Sequence, residues 1–275
     1  MDQTKLFLFS IDLEEFYADR SDFHRTALPQ LAERYLEFLR RHGMKSTFFV
    51  VGELAAQFRS TIREIHSEGH ELACHTHSHR SLDQYTPESF EDDLKRNLDA
   101  IRDCVQTELT GFRAPILSLT EKTQWAYEVL AKLGFQYSSS VLCSNNPLHG
   151  WHGFGNSARQ MNGVLELPVT LAQFLWMRVP VGSGTYFRCL PFAFTRRSFR
   201  NCAAQGEPVI GYFHPYDADP EQERVMSRGV GGSRLMNQLL YVNRSKTLPR
   251  LEALVSEGFR IVPYRNYLKE YRGNE

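Results

Sequence analysis

The chain lacks a charge of either sign to spare: 32 Lys and Arg cancel 32 Asp and Glu. A general binder of nucleic acid or of an anionic membrane draws on an excess of cations, so neither is expected as a partner. Cysteine is scarce and shows no pairing pattern. The five (Cys74, Cys104, Cys143, Cys189, Cys202) are odd in number, widely spaced and without a Cys-x-x-Cys. That disfavours a disulfide framework or a cysteine zinc site and fits reduced thiols in a cytoplasm. Long apolar runs are missing as well. The most apolar later stretch, Val164 to Val181, is interrupted by Glu166, Pro168, Arg178 and Pro180, so stable membrane insertion is not expected. The opening residues from Met1 to Phe7 put an acid before the lysine and lack the apolar core and cleavage site of a signal peptide. No low-complexity tract, charge block or Ser/Pro/Gly linker divides the 275 residues. The expectation is a cytoplasmic globular protein of one domain, residues 1–275. Its oligomeric state is left open.

What is present is a repeated grammar. An amphipathic stretch ends near a glycine and a β-prone run follows. The five copies end at Gly43, Gly69, Gly134, Gly206 and Gly258, before Thr47–Val51, His70–Cys74, Phe135–Tyr137, Val209–Phe213 and Phe259–Val262. Glycine just past a helix accepts the left-handed conformation that closes the last turn, so each copy reads as helix, cap, strand. Leu54, Phe58, Ile62 and Ile65 have helical spacing, as do Phe90, Leu94, Leu98 and Ile101. Pro29 and Pro87 stand where a first helical turn would begin. Leu6 to Ile11 is almost continuously apolar, as in a strand buried on both faces. Alternating strands and helices indicate an α/β fold with a parallel sheet, open or closed into a barrel. The pattern loosens in a loop-rich insertion around 144–190, with one strand expected at Val164–Thr170.

Polar residues of unusual type gather just after these strands. Asp12, Glu14 and Glu15 follow the first; His75, His77 and His79 follow Glu71–Cys74; Arg113 follows Gly111-Phe112; His214 and Asp217 follow Val209–Phe213. Strand carboxyl ends share one rim in a (β/α) barrel, so distant segments would converge on one mouth. Histidines four apart on a helical turn, or two apart on an extended chain, can share a metal ion, and spacing alone does not choose the pair. A solvated polar loop is the competing interpretation, and the two acids on a second strand end favour the metal. Asp12 and Glu14, two apart on a continuing strand, point the same way, whereas Glu15 would point away.

Taken together, Phe9-Ser10-Ile11-Asp12-Leu13-Glu14-Glu15, His75-Thr76-His77-Ser78-His79, Gly111-Phe112-Arg113-Ala114-Pro115 and Gly211-Tyr212-Phe213-His214-Pro215 resemble the motifs of the polysaccharide deacetylase family, the NodB-homology domain of carbohydrate esterase family four. Thr47-Phe48-Phe49-Val50 and Val181 to Arg188 further resemble a branch found in exopolysaccharide biosynthesis loci. The resemblance implies a distorted (β/α)7 barrel and one divalent metal, zinc first, with cobalt, nickel or manganese as alternatives. It implies Asp12 as catalytic base, Arg113 orienting it, His214 as general acid, and Glu14, His75 and His79 as metal ligands. Glu15 is the other candidate for the acidic ligand. It further implies removal of an N-acyl group, acetyl above all, from an amino sugar in a surface-polysaccharide precursor. The alternatives are an N-deformylase or other C–N hydrolase (cyclic amides included) on the same barrel, and an inactive sugar-binding barrel.

One departure stands out. Many relatives carry an aspartate in the segment matching Tyr137-Ser138-Ser139-Ser140-Val141, where this chain has serines. Asp217 would take over the tuning of His214, or His214 would have a lower pKa than in relatives. Candidate substrate contacts are Trp151, Tyr186, Arg188 and Asp217, since loops on an active rim carry specificity. Gly182-Ser183-Gly184 and Gly229-Val230-Gly231-Gly232 match no complete phosphate loop and read as turns. The absence of an export signal points to a nucleotide-linked, lipid-linked or unexported saccharide as the substrate.

Overall fold

The computed structural model describes residues 4–15, 27–144, 150–226 and 233–273. The Gly229–Gly232 turn lies outside them. The first half contains β1 (Lys5–Leu13), α1 (Leu28–Arg41), β2 (Thr47–Val50), α2 (Gly52–Gln57), α3 (Arg59–Ser67) and β3 (Glu71–Cys74). These are followed by α4 (Pro87–Arg102), β4 (Gly111–Phe112), α5 (Ala126–Lys132) and β5 (Tyr137–Ser138). Next come β6 (Arg159–Met161), β7 (Val164–Glu166), β8 (Leu171–Phe174), β9 (Met177–Pro180), α6 (Gly184–Cys189) and α7 (Phe192–Ala204). The chain closes with β10 (Val209–Phe213), α8 (Arg234–Leu239), α9 (Thr247–Ser256), β11 (Phe259–Ile261) and α10 (Tyr264–Gly273).

The fold is α/β. The path β10–β1–β2–β3–β4–β5–β7 is parallel throughout, with β11 parallel to the start of β1 and β6 antiparallel on β7. The two ends of this path are tied together. Thr170 N–H donates to Ile210 O (3.0 Å), Ile210 N–H to Thr170 Oγ1 (2.8 Å), and Tyr212 N–H to Gly182 O (3.1 Å). At the last contact Gly182 and Gly211 pass so closely that a Cβ on Gly182 would lie 2.9 Å from Gly211 Cα. Among the described residues no helix is long and apolar enough to cross a membrane.

All five capping glycines have positive φ, between 60° and 90°, and each precedes a strand. Pro87 opens α4, where Thr86 and Ser89 form a capping box. Two expectations need correction. The spacing from Leu54 to Ile65 does not belong to one helix: Phe58 (φ −114°, ψ 48°) separates α2 from α3. The second concerns the strands within the loop-rich insertion around 144–190. Its described part holds two short hairpins (β6–β7 and β8–β9) and α6, and the strand expected at Val164–Thr170 stops at Glu166.

Strand alternation decides what the interior sees. On β1, Phe7, Phe9, Ile11 and Leu13 belong to the large core under the helices, while Leu8 belongs to a second core with Phe49, Ala73, Tyr137, Leu165 and Ile210. Ser10 and Asp12 share the phase of Leu8 and therefore enter the interior. Tyr264 and Leu268 of α10 join this second core. Below Asp12 the barrel is filled, not open.

Candidate active site

Asp12, the last inward residue of β1, is 3% exposed. Its carboxylate accepts from Arg113 Nη1 at 2.6 Å. Arg113 is fully buried, and its remaining donors go to Ser10 Oγ, Ser139 O, Ser139 Oγ and the Tyr264 hydroxyl, all at 2.6–2.9 Å. Burial favours the neutral guanidine, but the Asp12 charge and the Tyr264 partner outweigh it and raise the Arg113 pKa above its ordinary value. Ser139, just after β5, thus holds Arg113. Ser140 also serves this strand end, accepting from Ala114 N–H (2.8 Å) while Glu166 Oε1 accepts from Ser140 N–H (2.7 Å).

Glu14 follows a tight turn in which its N–H donates to Asp12 O (2.9 Å). The turn carries its carboxylate to the histidine loop. Among the described residues, Glu14, His75 and His79 bring one ligand atom each within 4.8 Å of one another. His75 Nε2 lies 3.4 Å from Glu14 Oε2, and His79 Nε2 contacts the same oxygen. Glu15 is not in this group; it lines a small cleft with Leu28, Leu31 and Tyr216. Burial would raise the Glu14 pKa, but His79 and His214 together with hydrogen bonds from His75 and His79 hold it well below the usual carboxylate range.

The two histidines converge through a bent loop and not on a helical turn. Thr76 (φ 60°) and His79 (φ 49°) are left-handed, a costly conformation for residues with a Cβ. The helix α4 maintains it from below. Asp93 accepts from His77 N–H (2.6 Å) and Ser78 Oγ–H (2.5 Å), and Asn97 Nδ2 donates to Thr76 O (2.5 Å) and Val50 O (2.9 Å). His75 Nδ1 donates to Arg113 O (2.8 Å), because a carbonyl can only accept. That turns Nε2 toward Glu14, the atom whose lone pair a neutral His75 would offer to an ion. Two imidazoles and a carboxylate, with the His75 tautomer fixed from behind, suit a divalent ion such as zinc with a coordination position left open.

His214 completes the ring. Phe213 is in register with Ile11, so His214 emerges beside Asp12. Its Nε2 lies 3.5 Å from Glu14 Oε1 and its Nδ1 3.1 Å from Asp217 Oδ2. The Tyr216 ring stacks on it, with centroids 4.6 Å apart and planes at 7°. Burial pulls the imidazole pKa down, but Glu14 and Asp217 overcome this and raise it to about 9.

The four proposed substrate contacts separate. Tyr186 is 39% exposed on α6. Trp151 is half-buried against the core with its ring 4.9 Å from Phe154. Arg188 and Asp217 are fully buried and bonded to each other, with Asp217 against the His214 ring. Sequence reasoning passed over Ser10, Ser139, Tyr264, Asp93, Asn97 and Tyr216. Asp93 and Asn97 left a signal: they interrupt the buried stripe of Phe90, Leu94, Leu98 and Ile101 on α4.

A family model described as polysaccharide deacetylase matches residues 21–138, and a second, described as a domain of unknown function (DUF3473), continues over 139–269. Residues 21–138 belong to the polysaccharide deacetylase family. Asp12 and Glu14 precede this deacetylase-family span. The chain is 28% identical to a peptidoglycan deacetylase of Helicobacter pylori over 40% of its own length and 36% of that protein. It is 35% identical to a chitooligosaccharide deacetylase of a Bradyrhizobium strain, over 35% of its length and 42% of that protein. It therefore spans well under half of either relative. A solved structure from Mycobacterium smegmatis, described as a candidate polysaccharide deacetylase, superimposes with a TM-score of 0.64 at 17% identity, covering 99% of this chain and 92% of the other. That likeness is one of fold.

Proposed function

We propose that the protein is a metal-dependent hydrolase that removes an N-acyl group, acetyl in the first instance, from an amino sugar of a polysaccharide or its precursor. The observation that carries this proposal is the convergence of the Glu14, His75 and His79 ligand atoms within 4.8 Å, with Asp12 and His214 beside them. Glu14, His75 and His79 would hold the ion, which when bound supplies Lewis acidity toward the acyl carbonyl and a water acidic enough to react near neutral pH. Asp12 accepts the proton of the attacking water, with Arg113 fixing the direction of its carboxylate. His214, oriented through Nδ1 by Asp217, turns Nε2 toward the site and delivers a proton to the departing amine, a poor leaving group until protonated. Tyr186, exposed on the rim side of α6, is the candidate for sugar contact.

The peptidoglycan and chitooligosaccharide relatives support an N-acetylated amino sugar as the substrate class. Five free cysteines, three of them buried, fit a reducing compartment and with it a saccharide met before export. The test has two arms. Purified protein should carry about one divalent ion per chain, lost on His75→Ala. Acetate release should then be measured in parallel on nucleotide-linked, lipid-linked, oligomeric and polymeric N-acetyl substrates. Metal content that is sub-stoichiometric and indifferent to His75→Ala sinks the metal centre; formate release or ring opening in place of acetate release moves the protein to another C–N hydrolase. Activity confined to mature extracellular polymer removes the precursor.

A further inference from the structure

Residues 139–269 match a model without assigned function, yet His214, Asp217, Arg188 and Tyr264 all lie in them. We infer that this segment is the proton-donating half of the active site, and that within it Arg188 is a positioning residue that orients His214 through Asp217. The inference rests on the assignment of His214 as the group that protonates the leaving amine.

The carboxylate of Asp217 is divided between two partners. Oδ1 accepts from Arg188 Nη2 (2.6 Å) and Nε (3.1 Å). Oδ2 accepts from the His214 backbone N–H (2.9 Å) and stands 3.1 Å from its ring Nδ1. Four of the five Arg188 N–H donors are engaged within the protein, since Nη1 donates to Val242 O (2.8 Å) and Nη2 also to Thr185 Oγ1 (3.2 Å). The backbone around the pair is pinned too, with Thr247 Oγ–H donating to Asp217 O (2.6 Å) and Asn243 Nδ2 to Arg188 O (3.1 Å). Gly184 is the counterpart in shape, since a Cβ there would overlap the Asp217 carboxylate.

Arg188 and Asp217 are both 0% exposed. A buried ion pair is a poor investment for stability alone, since apolar residues of similar volume often do as well. A pair whose second oxygen is aimed at an imidazole of the site has a use that apolar residues cannot supply. Among the described residues no other carboxylate is bonded to that nitrogen, and the serines after β5 are committed to Arg113 and Ala114. Gly182, Gly184 and Arg188, which in sequence read as a turn and a substrate contact, are thereby parts of one support built behind β10.

The experiment compares wild type with Arg188→Met/Asp217→Asn, which removes both charges together, and with Arg188→Lys. Melting temperature and metal content establish that each variant is folded and loaded. On an N-acetylated chitooligosaccharide, the double variant should lose roughly 10²- to 10⁴-fold in kcat, the range for removing the partner of a catalytic imidazole. KM should stay within about twofold, and Arg188→Lys should restore part of kcat. The nitrogen-resolved NMR signal of the His214 ring, read without substrate, should lose its hydrogen-bonded Nδ1 proton in the double variant. A folded, loaded double variant with wild-type kcat and an unchanged His214 signal overturns the inference. Wild type inactive on every acyl sugar would count against the functional assignment, and the NMR comparison of wild type with Arg188→Lys, in which Asp217 is intact, would still decide whether Arg188 sets the ring. Should the double variant fail to fold, Arg188→Lys carries the same two readouts.

Discussion

Arg113 Nη1 meets Asp12 Oδ1 at 2.6 Å inside the barrel, across 101 residues of chain. Neither is in the three-donor group, so base and metal should be separable by substitution. Asp12→Asn keeps the shape and removes the proton acceptor. It should cost about 10²- to 10⁴-fold in kcat with metal content unchanged. Asp12→Ala strips a buried guanidinium of its counter-charge and should also lower stability by about 3–5 kcal/mol. Full turnover by Asp12→Asn on the true substrate would take the base role away from it.

Asp93 holds the histidine loop without touching a ligand ring, through His77 N–H and Ser78 Oγ. Two left-handed residues in that loop, Thr76 and His79, have to be held against their preference. Asp93→Ala should weaken metal binding by about 10- to 100-fold, as loss of an outer support does. Competition titration of the purified variant with a chelator measures this. Wild-type affinity would mean that Asn97 and the backbone suffice.

Gly184 faces Asp217 with no space for a methyl group. Gly184→Ala should push the carboxylate off its partners, costing about 1–3 kcal/mol as overpacking does, and should lower kcat more than it raises KM. Gly153, exposed and with nothing within 4 Å of an added Cβ, is the control. Its replacement by alanine should change stability by no more than about 0.5 kcal/mol. Equal effects at the two positions would remove the steric argument. Denaturant unfolding and steady-state kinetics decide it.

Alternation on β1 made the inward direction of Asp12 legible, while Glu14 depends on the turn after Leu13, and the glycine caps marked every helix-to-strand junction among the described residues except that from α4 to β4. Those signals are local, and local signals survive in sequence. The break at Phe58 did not show because α2 and α3 bury Leu54, Ile62 and Ile65 on one side, so their spacing mimics a single helix. Strands of three or four residues such as β6 to β9 are too short to carry a period. The partners of Arg113 were hidden for another reason. Tyr264 lies 151 residues away and Ser10 lies 103 away, and only the closed barrel brings them to one guanidinium. Arg188 looked like a rim residue for the same reason, its burial being set by Asp217 and the 242–247 turn.

Acid stability offers a test away from the metal centre. His70 is 1% exposed, and its Nδ1 accepts from Ser46 N–H at 3.1 Å, a bond that requires an unprotonated nitrogen. Burial lowers the imidazole pKa to about 4; Lys45 acts in the same direction and Glu68 against it. An unfolded histidine titrates near 6.5, so between about 4 and 6.5 the unfolded chain binds more protons than the folded one. The contribution is complete above about pH 6.5 and is lost as pH falls through that window, up to about 3 kcal/mol. Glu14 and Asp217, whose pKa values are depressed, lose stability in acid as well, so a difference between two proteins is the informative quantity. His70→Asn keeps an acceptor for Ser46 N–H and cannot take up a proton. Its melting temperature should fall less than that of wild type between pH 7 and pH 4.5, with the two curves separating below about pH 6.5. Parallel curves would show that protonation of His70 has no part in acid unfolding.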